Sequence, residues 1–308
     1  MTIRHLITTL AALLATVTAP LYAAADSATS TVLPPDQAQF PELVVMLRTD
    51  SRGRESLCTP VARYKDKDGR IVDLIGAVHL GDARYYHALN RSMARYDKVL
   101  YEMVDGEDLP EMNRIAKKIA DGSATPEEIA RYRQYQAERE NSTLGVLLGG
   151  YYAYVADLMQ LSLQADHIDY SRTNLVYADM SSAEFAAAME ERGESWFTLV
   201  LDAMKESDNS SSSLNLFSTN PTELRRMLCH RLVATAHGTR TEQRAIIVSR
   251  NERCMQVLDR VLADTEAPAR TIAIFYGAMH LRDMHHRLIQ RGFEQVGVQW
   301  VSAIRIER

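Results

Sequence analysis

Two stretches of the chain, far apart in sequence, place a histidine in the same local setting. Gly76-Ala77-Val78-His79-Leu80-Gly81-Asp82 aligns with Gly277-Ala278-Met279-His280-Leu281-Arg282-Asp283, and five of the seven positions are identical. In each copy an apolar run precedes the histidine and a helical pattern follows it, so His79 and His280 stand at predicted strand-to-helix corners. Gly76 and Gly277 let the backbone turn or let a ligand come close. Asp82 and Asp283 are expected to cap the following helices and to do no chemistry. An imidazole at such a corner can ligate a metal ion or move a proton near neutral pH. A lone histidine after an apolar strand is more often a packed core residue. Its recurrence at one structural place favours a shared functional role.

Two more residues join this pair. Glu102 lies among Val99, Leu100, Met103 and Val104, in a segment that reads as a strand covered on both faces. A carboxylate there is costly unless it is paired, hydrogen-bonded or bound to metal. It either serves the site of His79, whose predicted position adjoins it, or pairs with an arginine that holds the sheet together. Arg250 falls on the apolar stripe of a predicted helix, in line with Ile247, Cys254, Val257 and Val261. An arginine on a buried face neutralises a carboxylate or binds an anion. His167, His230, His237, His285 and His286 lack comparable surroundings and read as ordinary surface or core residues.

The elements that must position these groups follow from the hydrophobic pattern. Residues 71–78 form a buried strand, a helix runs from Asp82 to about Arg95, and 98–104 form the next strand. This is a βαβ unit with parallel strands whose carboxyl ends lie side by side, where open α/β sheets bind ligands. Short strands are expected at 43–47 and 62–64, with a hairpin turn at Asp66-Lys67-Asp68-Gly69 before the buried strand. The middle is helical. Thr125-Pro126-Glu127-Glu128 opens an exposed helix to about Glu140, and the apolar stretch 144–163, carrying Asp157 and Gln160, reads as a buried one. Ser181 to Glu184 is a second capping box opening a helix to about Glu191, Asn220-Pro221 opens another, and 241–263 is longer. Residues 207–213 read as a flexible surface loop. The pattern of 71–78 returns at 271–279, followed by a helix from Asp283 to a Gly292 cap and a last strand at 296–306. The expected fold class is α/β: a central mixed sheet with parallel βαβ units flanked by helices, two pseudo-repeated halves and a helical middle.

With 308 residues and 46% hydrophobic content the chain can bury a full core. Net charge is -5 and basic residues are scattered, so nucleic acid is not an expected partner. Arg4 and His5, the apolar run 6–14 and Ala23-Ala24-Ala25 read as a signal peptide over 1–25, with a Ser, Thr and Pro-rich linker over 26–42 and the α/β domain over 43–308. The threonines and Pro20 interrupt the apolar run, so no stable membrane span is expected after cleavage. The mature protein is expected to be exported, periplasmic or secreted. There Cys229 and Cys254 could pair and leave Cys58 free.

The paired Gly-x-x-His motifs, Glu102 on the strand after the first, an Arg-Asn pair at Arg250 and the segment Tyr177-Ala178-Asp179-Met180-Ser181 together resemble the TraB/GumN/TIKI superfamily, nearest its exported bacterial GumN-type branch. The resemblance spans the chain from about Ile71 to Arg308. It implies an α/β fold whose motifs meet in one cleft. The TIKI branch implies a metal-dependent protease favouring manganese or cobalt, with His79, Glu102 and His280 as metal ligands and Arg250 nearby. Other relatives imply differently: pheromone-shutdown proteins act on small peptides, and erythromycin-esterase-like proteins share the cleft layout without a metal.

The expectation is therefore a metal-dependent hydrolase of peptide or other acyl bonds. His79, Glu102 and His280 hold a divalent manganese, cobalt or zinc ion, Arg250 stabilises the oxyanion, and Gly76 and Gly277 shape the substrate site. Two alternatives stand beside it: a metal-free His/Glu hydrolase, and a non-catalytic protein that sequesters a peptide or haem.

Overall fold

A computed structural model describes residues 43–140, 143–194, 220–236 and 245–306. The expected signal peptide, the linker, the loop at 207–213 and the start of the helix expected from Thr241 lie outside the described residues. In chain order the elements are β1 (Met46–Thr49), β2 (Glu55–Lys65), β3 (Ile71–Ala77), β4 (Leu80–Gly81), α1 (Ala83–Met93), β5 (Lys98–Tyr101), α2 (Leu109–Ala120), α3 (Pro126–Glu140), α4 (Thr143–Met159), β6 (Ser162–Leu163), α5 (Gln164–His167), β7 (Leu175–Tyr177), α6 (Ser182–Glu191), α7 (Pro221–Ala236), α8 (Ala245–Ala263), β8 (Thr271–Gly277), a 3-10 turn (Ala278–His280), α9 (Leu281–Gln290) and β9 (Glu294–Arg305). Among the described residues no helix is long and apolar enough to cross a membrane.

Seven strands form one mixed sheet, and β4 and β6 pair separately. Strands β3, β8, β5 and β7 lie side by side in that order and run parallel. β2 runs antiparallel to β3, and β9 pairs antiparallel along β2. Hence β9 points the same way as β3 and β8. The two motif strands are direct neighbours, with Ile75 opposite Phe275 and Ala77 opposite Gly277.

One expectation is corrected here. β3 and β5 are parallel, but their ends do not touch, because β8 enters between them and hydrogen-bonds to both. Sequence order suggested adjacency, but a strand from late in the chain takes the middle position. Lesser differences concern extents: β2 runs over eleven residues rather than 62–64, β7 is an additional strand, and β1 begins at Met46.

Alternation in the strands fills two cores. Ile75, Ala77, Val99, Tyr101, Ala273 and Phe275 face one side, where α1, α4 and α7 pack. Val72, Leu74, Leu100, Ile272, Ile274 and Tyr276 face the other, where α8 and α9 pack. The two motif helices therefore cover opposite faces. The β3–α1–β5 crossover passes one way over β8, and the β8–α9–β9 crossover passes the other way over β3 and β2. Adjacent strands whose connections leave in opposite directions open a crevice at their carboxyl ends. The likeness of the two copies thus extends over the motif strands; past them Leu80–Gly81 pairs as a strand whereas Ala278–His280 form a 3-10 turn, and the two halves wind apart.

Local signals hold where the physics is local. Both capping boxes form, at Thr125 with Glu128 and at Ser181 with Glu184. Gly69 takes φ +78° in the hairpin turn, which favours glycine. The helix from 143 packs Val155, Ala156 and Met159 inward, while Tyr154 is exposed, so it is half-buried rather than buried. The three cysteines are buried free thiols, with Cys229 in one core and Cys254 in the other across the sheet, so the pairing that the sequence leaves open is not formed.

Candidate active site

Four adjacent parallel strands each deliver one polar side chain just past their carboxyl ends. His79 follows β3, His280 follows β8, Glu102 follows β5 and Asp179 follows β7. The apolar strands end there because charged groups can be accommodated only where partners or water are available. Arg250 reaches this row from α8, on the face that also carries Cys254 and Val257.

Glu102 is held on three sides. The Gly277 N–H donates to its Oε2 at 2.6 Å, Nη2 of Arg250 lies 2.8 Å from its Oε1, and Nε2 of His280 stands 3.5 Å from the same oxygen. Its own N–H donates to the Phe275 carbonyl at 3.2 Å, extending the β5–β8 ladder by one residue. Burial pushes the Glu102 carboxyl up, but Arg250, His280 and His79 outweigh it and hold it well below the usual carboxylate range. Glu102 is therefore an anion near neutral pH.

Arg250 is a bridge between two carboxylates. Its Nε and Nη2 donate to Asp179 at 2.9 and 2.5 Å, and Nη2 also faces Glu102. Burial disfavours its charge, yet the two anions more than restore it and raise its pKa. Of the two roles read from sequence, neutralisation of carboxylates is the one formed in the structure. Two carboxylates thus share one guanidinium.

His280 is buried on the 3-10 turn ahead of α9, with the Tyr276 ring edge-on at 5.2 Å. Its Nδ1 lies 2.6 Å from Oδ1 of Asn251. His79 differs. It is exposed to solvent, while enough protein surrounds its ring that burial pulls its pKa down. Arg250 and His280 add to that shift and Glu102 opposes it. Its carbonyl accepts the Gln164 N–H at 2.9 Å, and Tyr152 lies edge-on at 6.2 Å. The structure thus brings Glu102, Arg250 and His280 into contact, and sets His79 at the solvent side within Coulombic reach of all three.

The motif glycines part company. A side chain at Gly277 would stand 3.3 Å from Oε2 of Glu102, whereas one at Gly76 would meet Pro60 and Leu281, away from the row. Gly277 therefore serves the site and Gly76 serves packing. The motif aspartates are not caps. Asp82 occupies the N-cap position of α1 without a side-chain cap bond, and its carboxylate takes Arg225, Arg84 and the Arg305 N–H. Asp283 lies inside the first turn of α9 and accepts from Asn251 and Arg287.

Three site residues receive no role from sequence: Gln164, and Asp179 and Asn251, which enter only as parts of the motifs behind the resemblance. A signal existed for Asp179, because Leu175-Val176-Tyr177 has strand character and the aspartate follows it as Glu102 follows β5.

Could these donors hold a metal ion? Ligands about 2.1 Å from one ion lie about 3.0 Å apart at a right angle and about 3.4 Å apart at the tetrahedral angle. The 3.5 Å between Nε2 of His280 and Oε1 of Glu102 fits two ligands of one ion. Among the described residues no group of three such side chains has metal spacing, so His79 is not drawn in as a third ligand in this arrangement.

No protein-family model matches the chain, and neither a curated protein nor a solved structure matches it.

Proposed function

We propose that the protein is a hydrolase of peptide or other acyl bonds, working at Glu102, His280 and His79 with a divalent ion held between Glu102 and His280. The observation that carries the reading is the 3.5 Å gap between His280 Nε2 and Glu102 Oε1, beside a buried guanidinium shared by two carboxylates. Manganese, cobalt or zinc suits a mixed nitrogen and oxygen donor pair. Such an ion lowers the pKa of a bound water and polarises a carbonyl. The resemblance to the TraB/GumN/TIKI superfamily points the same way.

The chain's own residues have separate tasks in this reading. Glu102 supplies fixed negative charge, because Gly277 and Arg250 lock its carboxylate in place. Arg250 keeps that carboxylate ionised and oriented. His79, exposed and with its pKa drawn down, accepts a proton from water at the mouth of the site or gives one to the departing group.

A second reading is favoured by Arg250 itself. Its 2.8 Å contact already compensates Glu102, so a metal-free route is available in which His280 or His79 acts as base and Glu102 orients it. The experiment that separates the two is metal analysis of the purified chain, followed by a peptide-library cleavage assay with and without chelator. Loss of cleavage on chelation, restored by cobalt or manganese, supports the first reading. Cleavage indifferent to chelator supports the second. No cleavage in either condition, with or without added ion, overturns the hydrolase and leaves a peptide- or haem-sequestering role.

A further inference from the structure

Asn251 follows Arg250 on α8 and is fully buried, yet it touches neither Glu102 nor solvent. Its Nδ2 donates to the His280 carbonyl at 3.1 Å and to Oδ2 of Asp283 at 2.8 Å. Asp283 is fixed in turn by Nε of Arg287 at 2.6 Å. Both protons of the carboxamide are thereby assigned, so the oxygen is the atom facing the His280 ring, 2.6 Å from Nδ1. A carboxamide oxygen only accepts, so Nδ1 must carry a proton. In the neutral ring Nε2 is then the nitrogen left without a proton, and it lies 3.5 Å from Oε1 of Glu102.

We propose that Asn251 is a positioning residue that fixes His280 as the Nδ1–H tautomer and turns the bare Nε2 toward Glu102. The other motif histidine is held at its carbonyl. The Gln164 backbone N–H donates to the His79 carbonyl at 2.9 Å, and Nε2 of Gln164 donates to the Tyr170 hydroxyl at 3.1 Å. Among the described residues, His280 alone of the two is gripped at both its ring and its carbonyl by one carboxamide side chain. Such a grip sets which ring nitrogen is available and the angle at which it is presented.

The proposal concerns the tautomer, and its link to metal rests on the hydrolase reading above. The test uses the full chain with 15N-labelled histidine and long-range proton–nitrogen correlation spectra, recorded where the imidazoles are neutral. The His280 signals are assigned by their loss in His280→Gln. The expected wild-type result is a protonated Nδ1 and a bare Nε2. Asn251→Ala should let the Nε2–H form appear, and affinity for cobalt(II) alone should fall about 10- to 100-fold. The exchange Asn251→Asp with Asp283→Asn keeps an acceptor at Nδ1 and should retain the wild-type tautomer. A wild-type proton on Nε2, or an unchanged tautomer in Asn251→Ala, overturns the proposal. If Asn251→Ala does not fold, the wild-type and exchanged chains decide it. A wild-type chain that binds no cobalt defeats the metal reading, while the tautomer is still judged by its own spectrum.

Discussion

The Nε2 atom of His280 faces Oε1 of Glu102 across 3.5 Å, and each group is anchored from behind by the other's neighbourhood. Glu102 is tied to Gly277, three residues before His280, and His280 is tied to Asn251, the residue after the Arg250 that grips Glu102. Neither side chain can swing away without breaking a buried hydrogen bond, and an unmade buried hydrogen bond costs about 1–3 kcal/mol. Rigidity of this sort lets a site bind or transfer charge without reorganising.

Acid should reveal the Glu102 anion. A carboxyl whose folded pKa is depressed makes the unfolded chain the better proton acceptor as pH falls. Its stabilisation is full above the unfolded value near 4.5 and is lost as pH drops through the folded value. His79, also depressed, adds an earlier loss that begins as pH falls through about 6.5. Urea midpoints from about pH 7 to about pH 2 should show the advantage of wild type over Glu102→Gln holding down to about pH 4.5 and shrinking below it. A difference that does not shrink below about pH 4.5 would mean that Glu102 is not a stabilised anion.

The two motif glycines should respond oppositely to alanine. Gly277 has φ -51° and ψ 138°, which any residue adopts, but the added methyl would press on the Glu102 carboxylate at 3.3 Å. Gly277→Ala should keep stability within about 1 kcal/mol while turnover falls about tenfold or more. A methyl at Gly76 would meet the Pro60 carbonyl at 3.2 Å and Leu281 at 3.1 Å, so Gly76→Ala should cost about 1–3 kcal/mol of stability by overpacking. Chemical denaturation and steady-state kinetics on both variants check the contrast.

Arg250 and Asp179 should behave as one unit. Removing either leaves a buried charge short of a partner, so Arg250→Ala and Asp179→Ala should each cost about 3–5 kcal/mol. The double variant should cost well under the sum, with a coupling energy of about 2 kcal/mol or more. Arg250→Lys should also destabilise, because an ammonium cannot span Asp179 and Glu102 as the planar fork does. Additive losses would show that the bridge is not shared.

The thiols should be silent until the fold opens. Burial pushes the Cys229 thiol up to about 12 and raises that of Cys254 further, so neither presents a thiolate near neutral pH. A thiol reagent should modify these two only on denaturation, and oxidant should not join them. A disulfide found between Cys229 and Cys254 would contradict their placement on opposite faces of the sheet.

What could be read from sequence tracks the range of the forces involved. The motif corners, the capping boxes and the Asp66–Gly69 turn are decided by neighbours in the chain, and they form as expected. The α/β class and the parallel motif strands follow from buried runs alternating with helices. The insertion of β8 between β3 and β5 is decided by packing across the whole sheet, and local pattern is blind to it. Glu102 and His280 were legible because polar groups at the ends of apolar runs demand partners. Asp179 obeys the same rule but follows a strand of only three residues. Asn251 was visible only as half of the Arg-Asn pair; its role was not, because a carboxamide on a helix carries no charge, and only the fold shows which atoms it meets. The capping role read for Asp82 and Asp283 failed because long-range arginine and asparagine contacts outbid the local cap.

The central position of β8 has a temporal consequence. A chain emerging from synthesis holds His79, Glu102, Asp179 and Arg250 well before Thr271 has been made. Until then β3 and β5 have no strand to join them, Glu102 lacks the Gly277 N–H, and Arg250 has carboxylates to neutralise but no histidine opposite them. A late element is the one that joins these groups. A truncated or nicked chain that ends before β8 carries His79, Glu102, Asp179 and Arg250 but lacks His280 and the Gly277 N–H that holds Glu102 in place.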